Sequence, residues 1–365
     1  MKVAIVRQRY NPYGGAERFV ARALPALERA GINVALISRK QEGWGARRFL
    51  RADPFHVGNL WRDWSFARAA RNAWRREHFD VVQSHERIPG CDVYRAGDGV
   101  HRRWLELRRS ASAPLERLSI ALNPYHAYVC KAEKRMLEHP RLRAVICNSK
   151  MVREEILRGF RIAPDKLHVI YNGVDLEHFH PKHRERLRGA ARAEIGCSAR
   201  DTVFLFVGSG FSRKGLDAAI AAVSRTPYWL AVVGRDEFKG KTSERVRLLG
   251  AKEDVRPYYA AADCFLLPSR YDPFPNTVLE AMAMGLPAIV SSRCGAAEVI
   301  EPGVNGWVCQ PDDAQGIARL MQEADRAIGA GRMGQAARGS AERYGIDAMA
   351  EQLIRLYESL AKGAA

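Results

Sequence analysis

The sequence predicts an α/β fold with two domains, each built on a parallel β-sheet. Its 365 residues suit two domains of about 150–200 residues each. Hydrophobic residues make up 47% of the chain and charged residues 27%, as in ordinary globular proteins. In both halves short apolar strands alternate with predicted helices, which is the order typical of parallel sheets.

The predicted elements follow that alternation along the chain. In the first half a helix is predicted over residues 16–30, and strands over Val3–Arg7, Val34–Ser38, Asp80–Gln83 and Ala144–Asn148. In the second half strands are predicted over Thr202–Val207, Trp229–Val233, Cys264–Pro268 and Ala288–Ser291. A strand and turn ending at Asp175, followed by a charged stretch over residues 180–188, separates the halves. We therefore predict domains over residues 1–178 and 179–345, and a last helix within residues 346–365.

The basic residues are distributed unevenly. The formal net charge is +17. Residues 1–178 hold 33 Lys and Arg against 19 Asp and Glu, a net charge of +14, whereas residues 179–365 have a net charge of +3. This asymmetry predicts an acidic partner for the first half, namely a nucleic acid, an anionic membrane or a phosphorylated substrate. A merely solvated arginine-rich surface is the alternative.

Cysteine usage and hydropathy favour a cytoplasmic protein. The seven cysteines are odd in number and include no C-x2-C pair, so we expect reduced thiols and no metal site. No apolar run approaches the ~18–20 residues that cross a bilayer. The first six residues are typical of a strand rather than of a signal peptide.

The most informative segment is a turn between two carboxylates. Asp272 and Glu280 stand eight positions apart around a Pro/Asn turn, and a helix is predicted over Thr277–Met284. Pro275 suits the first turn of that helix, because its φ is favourable and its missing N–H is not needed there.

The start of this helix predicts a site for a nucleotide-linked sugar. The backbone N–H groups of Asn276, Thr277 and Val278 are expected to point out of the helix, where partial positive charge favours an anion. Glu280 lies about one turn further on and is expected to face neutral sugar or ribose hydroxyls. The alternative is a buried helix with ordinary caps.

A glycine-containing loop predicts pyrophosphate binding. It follows one strand and opens a helix predicted over Leu216–Ser224. Gly208 and Gly210 let the backbone approach a ligand closely, while Arg213 and Lys214 supply a planar fork and a point charge for phosphate oxygens. The glycine spacing matches neither a Walker A loop nor a G-x-G-x-x-G fingerprint. Plain surface charges are the alternative, although cations at a helix start oppose its dipole.

Two segments of the first half predict further site residues. Gly14 and Gly15 permit a tight turn, whose amides we expect at the carboxyl ends of the strands, where such sheets bind ligands. A structural turn alone is the alternative. Residues 83–101 form a loop crowded with His, Asp and Arg, which is typical of an active-site wall. His85 and His101 are candidates there, or ordinary polar loop residues.

Two stretches of the basic half combine aromatic side chains with arginine. Residues 59–79 include Trp61, Trp64, Phe66 and Trp74, and residues 101–118 include Trp104, Arg102 and Arg103. Tryptophan with arginine suits a membrane interface. Packing of the tryptophans in the core beneath a solvated basic face is equally open.

The segment around Asp272 and Glu280 resembles the acidic-x7-Glu signature of the retaining glycosyltransferases of family 4. Asp272 stands where that family usually has Glu, and Pro275 where it usually has Gly. The Arg213-Lys214 pair is similar to the family's basic pair, which holds the nucleotide diphosphate. Gly14-Gly15 is similar to the family's N-terminal G-G-x-E, and residues 171–179 to its interdomain turn.

The resemblance implies a GT-B fold, with two Rossmann-like domains facing each other across a cleft and a last helix that crosses back to the first domain. It implies a retaining, metal-independent hexosyltransferase without a cofactor, whose donor is a nucleotide-sugar with UDP as the expected nucleotide. The implied donor-binding residues are Gly14, Gly15, Gly208, Phe274, Asn276, Thr277 and Glu280. The implied catalytic residues include Asp272, Arg213 and Lys214.

The run from Pro89 to Asp98 is similar to a segment of the lipopolysaccharide core glucosyltransferase I group in that family. This similarity implies that Asp98 is catalytic and faces the acceptor, and we expect His85, His101, Arg102 and Arg103 to be acceptor contacts. The implied acceptor is a phosphorylated or lipid-linked glycan in lipopolysaccharide core or related cell-surface glycan synthesis. The protein would then work in the cytoplasm, peripherally at the inner face of the membrane, without nucleic acid. A non-catalytic polyanion- or membrane-binding protein on the same scaffold is the rival hypothesis.

Overall fold

The chain forms two compact units. The structure, a computed structural model, describes residues 1–9, 23–40, 44, 47–328 and 331–362. The N-terminal unit comprises residues 1–173 together with the C-terminal helix, and the C-terminal unit comprises residues 174–346. Each unit is an α/β structure with its own parallel sheet.

The N-terminal unit contains a seven-stranded parallel sheet of order β3-β2-β1-β4-β5-β6-β7. Its strands are β1 (Lys2–Val6), β2 (Asn33–Ser38), β3 (Phe49–Arg51), β4 (Val81–Ser84), β5 (Val93–Arg95), β6 (Ala144–Cys147) and β7 (Leu167–Val169). Its helices are α1 (described over residues 23–29), α2 (Gly58–Arg76), α3 (His101–Ala111), α4 (Pro114–Leu122), α5 (Pro124–Leu137), α6 (Lys150–Gly159) and, at the C-terminus, α14 (Ile346–Lys362). A 3₁₀ turn spans Pro164–Lys166.

Two apolar clusters cover the two faces of this sheet. One contains strand side chains together with side chains of α1 and α14, such as Leu27, Leu353 and Tyr357. The other packs strand side chains against α2, α5 and α6. Burial on both faces explains why the central strands are continuous apolar runs rather than alternating ones.

The C-terminal unit contains a six-stranded parallel sheet of order β10-β9-β8-β11-β12-β13. Its strands are β8 (Val203–Val207), β9 (Trp229–Val233), β10 (Val246–Leu248), β11 (Cys264–Leu267), β12 (Ala288–Ser291) and β13 (Gly306–Cys309). Its helices are α7 (Arg184–Ile195), α8 (Phe211–Lys214), α9 (Leu216–Val223), α10 (Arg256–Ala261), α11 (Asn276–Ala283), α12 (Ala314–Ile328) and α13 (Arg332–Glu342). Two 3₁₀ helices span Pro181–His183 and Gly295–Val299.

Strand order reverses once in each sheet, and this reversal sets where a ligand can bind. In open parallel sheets ligands bind outside the carboxyl ends of the strands, at the point where the order reverses. That point lies between β1 and β4 in the N-terminal unit and between β8 and β11 in the C-terminal unit. The loops that leave these four strands are therefore the first places to look for a site.

Every strand predicted from the sequence is present within two residues, and the predicted alternation is confirmed. Four strands of three or four residues, β3, β5, β10 and β13, were not predicted. The prediction of one continuous loop over residues 83–101 was wrong, because Gln83 and Ser84 end β4, Val93–Arg95 form β5, and His101 begins α3.

All seven cysteines are free. Cys91, Cys147, Cys264, Cys294 and Cys309 are buried, and burial raises the pKa of each of these thiols. None of the described helices combines the length and the apolar character needed to cross a bilayer.

Candidate functional site

The loops after β8 and β11 bring three of the predicted site residues together. Lys214 Nζ lies 3.0 Å from Asp272 Oδ2, and Arg213 Nη1 lies 3.5 Å from the same oxygen. Lys214 is only 8% exposed and Asp272 only 5%. Two cations therefore converge on one buried carboxylate at the point where the strand order reverses.

Asp272 is held rigidly by its backbone. Its N–H donates to the carbonyl of Arg293 at 3.1 Å, and its own carbonyl accepts from Gly295 N–H at 2.8 Å. These bonds form a parallel bridge to Cys294, in the loop after β12. The guanidinium of Arg213 also donates to the carbonyl of Tyr271 at 3.0 Å. Arg213 is therefore anchored by the backbone, as Asp272 is.

Gly208 is required for the position of the lysine. Its φ is +153°, and a Cβ atom there would lie 2.6 Å from the Cδ and Cε atoms of Lys214. A larger residue would push the aliphatic chain of Lys214 away from Asp272. The group that approaches Gly208 closely in this structure is the side chain of Lys214, from the same loop.

The helix predicted over Leu216–Ser224 is present as α9, and a short helix that was not predicted precedes it. A separate short helix, α8, ends at Lys214, and Gly215 with φ +73° breaks the chain before α9 begins at Leu216. Arg213 and Lys214 thus lie in the last turn of α8 and directly before the start of α9.

Asp236 is a site neighbour that the sequence did not reveal. One carboxylate oxygen accepts from Phe211 N–H at 2.9 Å and also from Gly210 N–H. Asp236 lies after β9, 26 residues from Gly210 along the chain. No local motif announces such a pairing, because the bonded groups meet only when β8 and β9 lie side by side.

The start of α11 also differs in detail from the prediction. Pro275 has ψ +124°, an extended conformation, and is the cap residue rather than part of the first turn. Its carbonyl accepts from Val278 N–H at 3.2 Å, so that N–H points back to the cap and not out of the helix. The prediction that Val278 presents its N–H to a ligand was wrong.

Glu280 lies on α11 and is 1% exposed. Tyr259 donates its hydroxyl to Glu280 Oε2 at 3.2 Å and lies 3.2 Å from the carbonyl of Thr277. The neutral partner seen here is therefore a tyrosine hydroxyl of α10. Thr277 Oγ1 at the same helix start is buried and makes no hydrogen bond to the described residues, and Phe274 is 4% exposed.

In the N-terminal unit three charged residues meet at the carboxyl ends of neighbouring strands. Arg7 follows β1, Glu86 follows β4 and Asp98 follows β5. Arg7 Nη1 lies 3.5 Å from Glu86 Oε1 and 3.8 Å from Asp98 Oδ2. The Asp98 side chain is 54% exposed, so its carboxylate is accessible. Arg7 and Glu86 were not predicted as site residues, although their positions at strand ends are visible in the sequence.

The other predicted acceptor residues differ in accessibility. His85 is 4% exposed, and its Nε2 lies 2.9 Å from Gln83 Nε2. The side chains of Arg102 and Arg103 are 66% and 45% exposed, and both guanidinium groups contact Glu106. Gly14 and Gly15 lie outside the described residues.

Burial favours the neutral form of both candidate histidines. Burial and the nearby Arg95 and Arg7 lower the pKa of His85 well below its usual value. Burial, then Arg87 and His126, lower the pKa of His101 to about 4, and its Nε2 lies 3.2 Å from His126 Nδ1. Neutral imidazoles can exchange hydrogen bonds with a substrate, but they do not attract phosphate as cations do.

The described residues contain no group of three or more His, Cys, Asp or Glu side chains arranged to hold a metal ion. The C-terminal unit has two cations, Arg213 and Lys214, beside the fixed carboxylate of Asp272. The N-terminal unit has the accessible carboxylate of Asp98 beside Arg7.

Comparison with known proteins identifies the fold and the family. Residues 13–178 match the family model described as Glycosyltransferase Family 4, and residues 201–324 match that described as Glycosyl transferases group 1. The chain belongs to glycosyltransferase family 4. This glycosyltransferase is 28% identical to a probable transglycosylase of Burkholderia thailandensis, over 96% of this chain and 94% of the relative.

The same comparison supports the GT-B fold. The glycosyltransferase is 23% identical to the lipopolysaccharide glucosyltransferase WaaG of Escherichia coli, over 89% of each chain. The crystal structure of a WaaG described as involved in lipopolysaccharide biosynthesis superposes with a TM-score of 0.83, at 21% identity, over 97% of this chain and 99% of that one. The structure of HepE from Anabaena in complex with UDP-glucose superposes with a TM-score of 0.71, at 20% identity, over 98% of this chain and all of that one. The predicted GT-B fold and family are confirmed, and a non-catalytic binding protein is not favoured.

Proposed function

We propose that this glycosyltransferase transfers a hexose from UDP-hexose to a phosphorylated or lipid-linked glycan, with retention of configuration and without a metal ion. The observation that carries the proposal is the convergence of Arg213 and Lys214 on Asp272 at the carboxyl ends of β8 and β11. Two fixed cations suit a diphosphate, because they neutralise charge that develops on it as the sugar leaves. The complex of HepE with UDP-glucose supports the choice of nucleotide.

The proposed donor residues bind different parts of the nucleotide-sugar. Arg213 and Lys214 bind the diphosphate, Asp272 holds the hexose, and Glu280 binds the ribose hydroxyls. Phe274, Asn276 and Thr277 line the donor site through the backbone of the turn and the start of α11. Gly208 leaves room for the Lys214 side chain at this site, and Gly14 and Gly15, outside the described residues, are assigned to the donor phosphates.

The proposed transfer forms no covalent intermediate with the enzyme. The acceptor oxygen forms a bond to the anomeric carbon while the bond from that carbon to the diphosphate oxygen breaks, and the electron pair leaves with UDP. The acceptor proton passes to an oxygen of the leaving diphosphate on the same face of the sugar. Asp98 then orients the acceptor hydroxyl or stabilises the positive charge developing on the sugar, rather than acting as a strong base.

The basic N-terminal unit suits an acceptor that carries phosphate groups. The exposed guanidinium groups of Arg102 and Arg103 on α3 are available to bind phosphate oxygens. His85 and His101 contribute at most neutral hydrogen bonds, as their lowered pKa values require. The description of the WaaG relative as a lipopolysaccharide glucosyltransferase supports an acceptor in lipopolysaccharide synthesis.

Nucleotide binding is the direct test of the donor. At a concentration of 100 times its Kd, UDP-glucose is expected to stabilise the folded protein by about 2.7 kcal/mol and to raise Tm by about 3–4 °C. UDP is expected to act similarly, and EDTA is expected to leave the shift unchanged, because the cations of Arg213 and Lys214 replace a metal. Stabilisation by heparin but not by UDP or UDP-glucose would instead favour the polyanion-binding hypothesis.

Stereochemistry is the test of the reaction type. With UDP-α-glucose and lipopolysaccharide truncated at the inner core, we expect an α-linked product, recognised by the coupling constant of its anomeric proton. A β-linked product would contradict retention while leaving donor binding intact.

We also propose that the N-terminal unit binds the anionic inner face of the cytoplasmic membrane. Leu115, Leu118 and Leu122 lie on one face of α4 and are 84%, 56% and 72% exposed. Trp61 and Trp64 on α2 are 42% and 49% exposed. Five large apolar side chains facing solvent on a strongly basic unit suit a bilayer surface.

The helices that carry the exposed leucines and the exposed tryptophans, α4 and α2, are linked through α5. Tyr125, at the start of α5 and three residues after Leu122, donates its hydroxyl to Asp63 Oδ2 on α2 at 2.9 Å. The start of α5, which directly follows α4, thus contacts the half of α2 that carries Trp61 and Trp64. Other aromatic side chains of the same stretches do not take part, since Phe66 and Trp74 are buried. Core packing thus accounts for Phe66 and Trp74, while the exposure of Trp61 and Trp64 supports the proposed membrane contact.

Vesicle binding tests the membrane surface. Replacing Leu115, Leu118 and Leu122 together by glutamate is expected to weaken binding to phosphatidylglycerol vesicles at least about tenfold, because apolar area and charge attraction are both lost. Leu248→Glu, at a leucine 46% exposed in the C-terminal unit, is the matched control and should bind as the unaltered protein does. Equal sedimentation of the triple variant and the control would contradict this surface.

A further inference from the structure

The segment that carries Asp98 is held by side chains on both sides. It is a short connection from β5 to α3. Asn148 Nδ2 donates to the carbonyl of Gly97 at 3.2 Å, and Arg87 Nη2 donates to the carbonyl of Gly99 at 3.1 Å. The carbonyl groups of the two residues that flank Asp98 thus have fixed partners, although the Asp98 side chain itself is half exposed.

Arg87 is in turn fixed by a buried carboxylate. Its Nε donates to Glu133 Oε1 at 2.8 Å, and the Glu133 side chain is only 2% exposed. Burial opposes the charge of Arg87, but its pKa is nevertheless raised by Tyr94, Glu133 and Asp98. The guanidinium therefore stays charged and bridges Glu133 to the Asp98 segment.

The same glutamate caps α3. Val100 occupies the cap position and offers no side-chain acceptor, and the first turn of α3 contains no acidic residue. Glu133, from α5, accepts instead from His101 N–H at 2.9 Å and from Arg102 N–H at 3.3 Å. A carboxylate at this helix start satisfies otherwise open N–H groups and complements the positive end of the helix.

A further contact leaves little freedom at Gly97. The guanidinium of Arg95, which is 2% exposed, lies under this residue, so that a Cβ atom at position 97 would be 2.2 Å from its Nη1. Arg95 Nη2 donates to Asn172 Oδ1 at 2.5 Å, which keeps the guanidinium in place. The segment therefore packs against buried polar side chains, Arg95 and Asn172, that are hydrogen-bonded to each other.

We propose that Arg87 and Glu133 are positioning residues that set the place of the Asp98 carboxylate by fixing the segment from Gly97 to Arg102. The proposal rests on the proposed role of Asp98 in transfer. Buried ion pairs contribute little net stability compared with apolar residues of the same size, so stability alone does not explain why the pair is here. A catalytic group displaced by 1 Å, however, loses up to about 100-fold in rate.

The test compares single and double variants of the intact protein. Arg87→Met and Glu133→Gln are each expected to lower Tm, because each leaves one buried charge unpaired, and to lower kcat by about 30–100-fold. The KM for UDP-glucose and the UDP-dependent rise in Tm should not change, since Arg213, Lys214 and Glu280 lie in the other unit. In the double variant both charges are gone, so Tm should recover while kcat stays low.

Amide hydrogen exchange supplies a readout that does not depend on activity. Exchange at His101 and Arg102 should become at least about tenfold faster in Glu133→Gln and in the double variant, because the capping bonds are weakened. Arg192→Met is the matched control. Its guanidinium pairs with Asp263 at 3.3 Å and is 5% exposed, at the amino-terminal ends of β8 and β11, so it should lower Tm without changing kcat.

The possible results separate this inference from the proposed function. Recovery of kcat together with Tm in the double variant, or unchanged exchange at His101 and Arg102, would overturn the positioning role. Wild-type turnover in Asp98→Asn would overturn it as well, by removing the role of Asp98. Absence of transfer by the unaltered protein would contradict the proposed function instead, and the exchange rates alone would then decide whether the pair fixes the segment.

Discussion

Lys214→Met is expected to lower hexose transfer at least about 100-fold, the scale found when a fixed donor to a developing negative charge is removed. Lys214 Nζ lies 3.0 Å from Asp272 Oδ2 and is almost fully buried. Without a donor this cation balances the Asp272 carboxylate. With UDP-hexose bound, we expect it to stabilise the charge on the departing diphosphate. Steady-state kinetics with UDP-glucose would measure the loss as a fall in kcat.

Two further variants show whether charge and geometry both matter at this position. Lys214→Arg keeps the positive charge but exchanges a compact ammonium for a larger planar group in a space bounded by Gly208, so it should recover only part of the activity. Lys182→Met removes a lysine that is 53% exposed and pairs with Glu177 at 2.9 Å, and it should leave turnover unchanged. A folded Lys214→Met protein with normal turnover would contradict the proposed donor site.

Folding stability needs separate attention in Lys214→Met. Removing one partner of a buried pair destabilises a protein by about 3–5 kcal/mol when the other charge is left without compensation. Here Arg213 Nη1 remains 3.5 Å from the Asp272 carboxylate, so the cost should be smaller. Circular dichroism and Tm would establish that the variant is folded before its kinetics are interpreted.

Much of the fold could be predicted because parallel sheets leave a strong local signal. Strands buried on both faces, such as β8 and β11, are continuous apolar runs of four or five residues, and helices separate them. The strands that escaped prediction are short. β3 and β10 also lie at sheet edges and contain exposed residues, so their sequences resemble those of loops.

Site residues could be predicted from the sequence where charged side chains lie in the loop directly after a strand. Lys214 and Asp272 lie 58 residues apart, yet both lie just beyond the carboxyl ends of strands that become neighbours. Partners contributed from the middle of a helix were not predictable. Glu133 lies 46 residues from Arg87 on a helix whose sequence gives no sign of a capping role, because a cap supplied by another helix exists only after packing.

The details of helix ends were the least predictable part of the site. Pro275 was expected inside α11 and is its cap, and the short helix α8, which ends at Lys214, was not predicted. Both differences come from single backbone dihedrals, the ψ of Pro275 and the positive φ of Gly215. Such dihedrals depend on tertiary hydrogen bonds as much as on the residue type.

Glu280→Ala is expected to lower kcat/KM for UDP-glucose by about 10- to 100-fold, the range for losing a hydrogen bond between a charged group and a neutral one. Glu280 is buried on α11, and in this structure Tyr259 donates its hydroxyl to the carboxylate. We expect the carboxylate to accept in addition from the ribose hydroxyls of the donor. Glu280→Gln keeps one acceptor oxygen and the side-chain volume, so its loss should be smaller.

A modified donor distinguishes a ribose contact from a structural effect. The unaltered enzyme should lose activity with donors that lack the 2′- or the 3′-hydroxyl of the ribose, whereas Glu280→Ala should use at least one of them as well as it uses UDP-glucose, because the partner of that hydroxyl is already gone. Tyr259→Phe is the matched control. It removes the hydroxyl bonded to Glu280 but not the carboxylate, so it should still discriminate against the deoxy donor. If Glu280→Ala discriminates against both deoxy donors as strongly as the unaltered enzyme does, Glu280 makes no contact with the ribose.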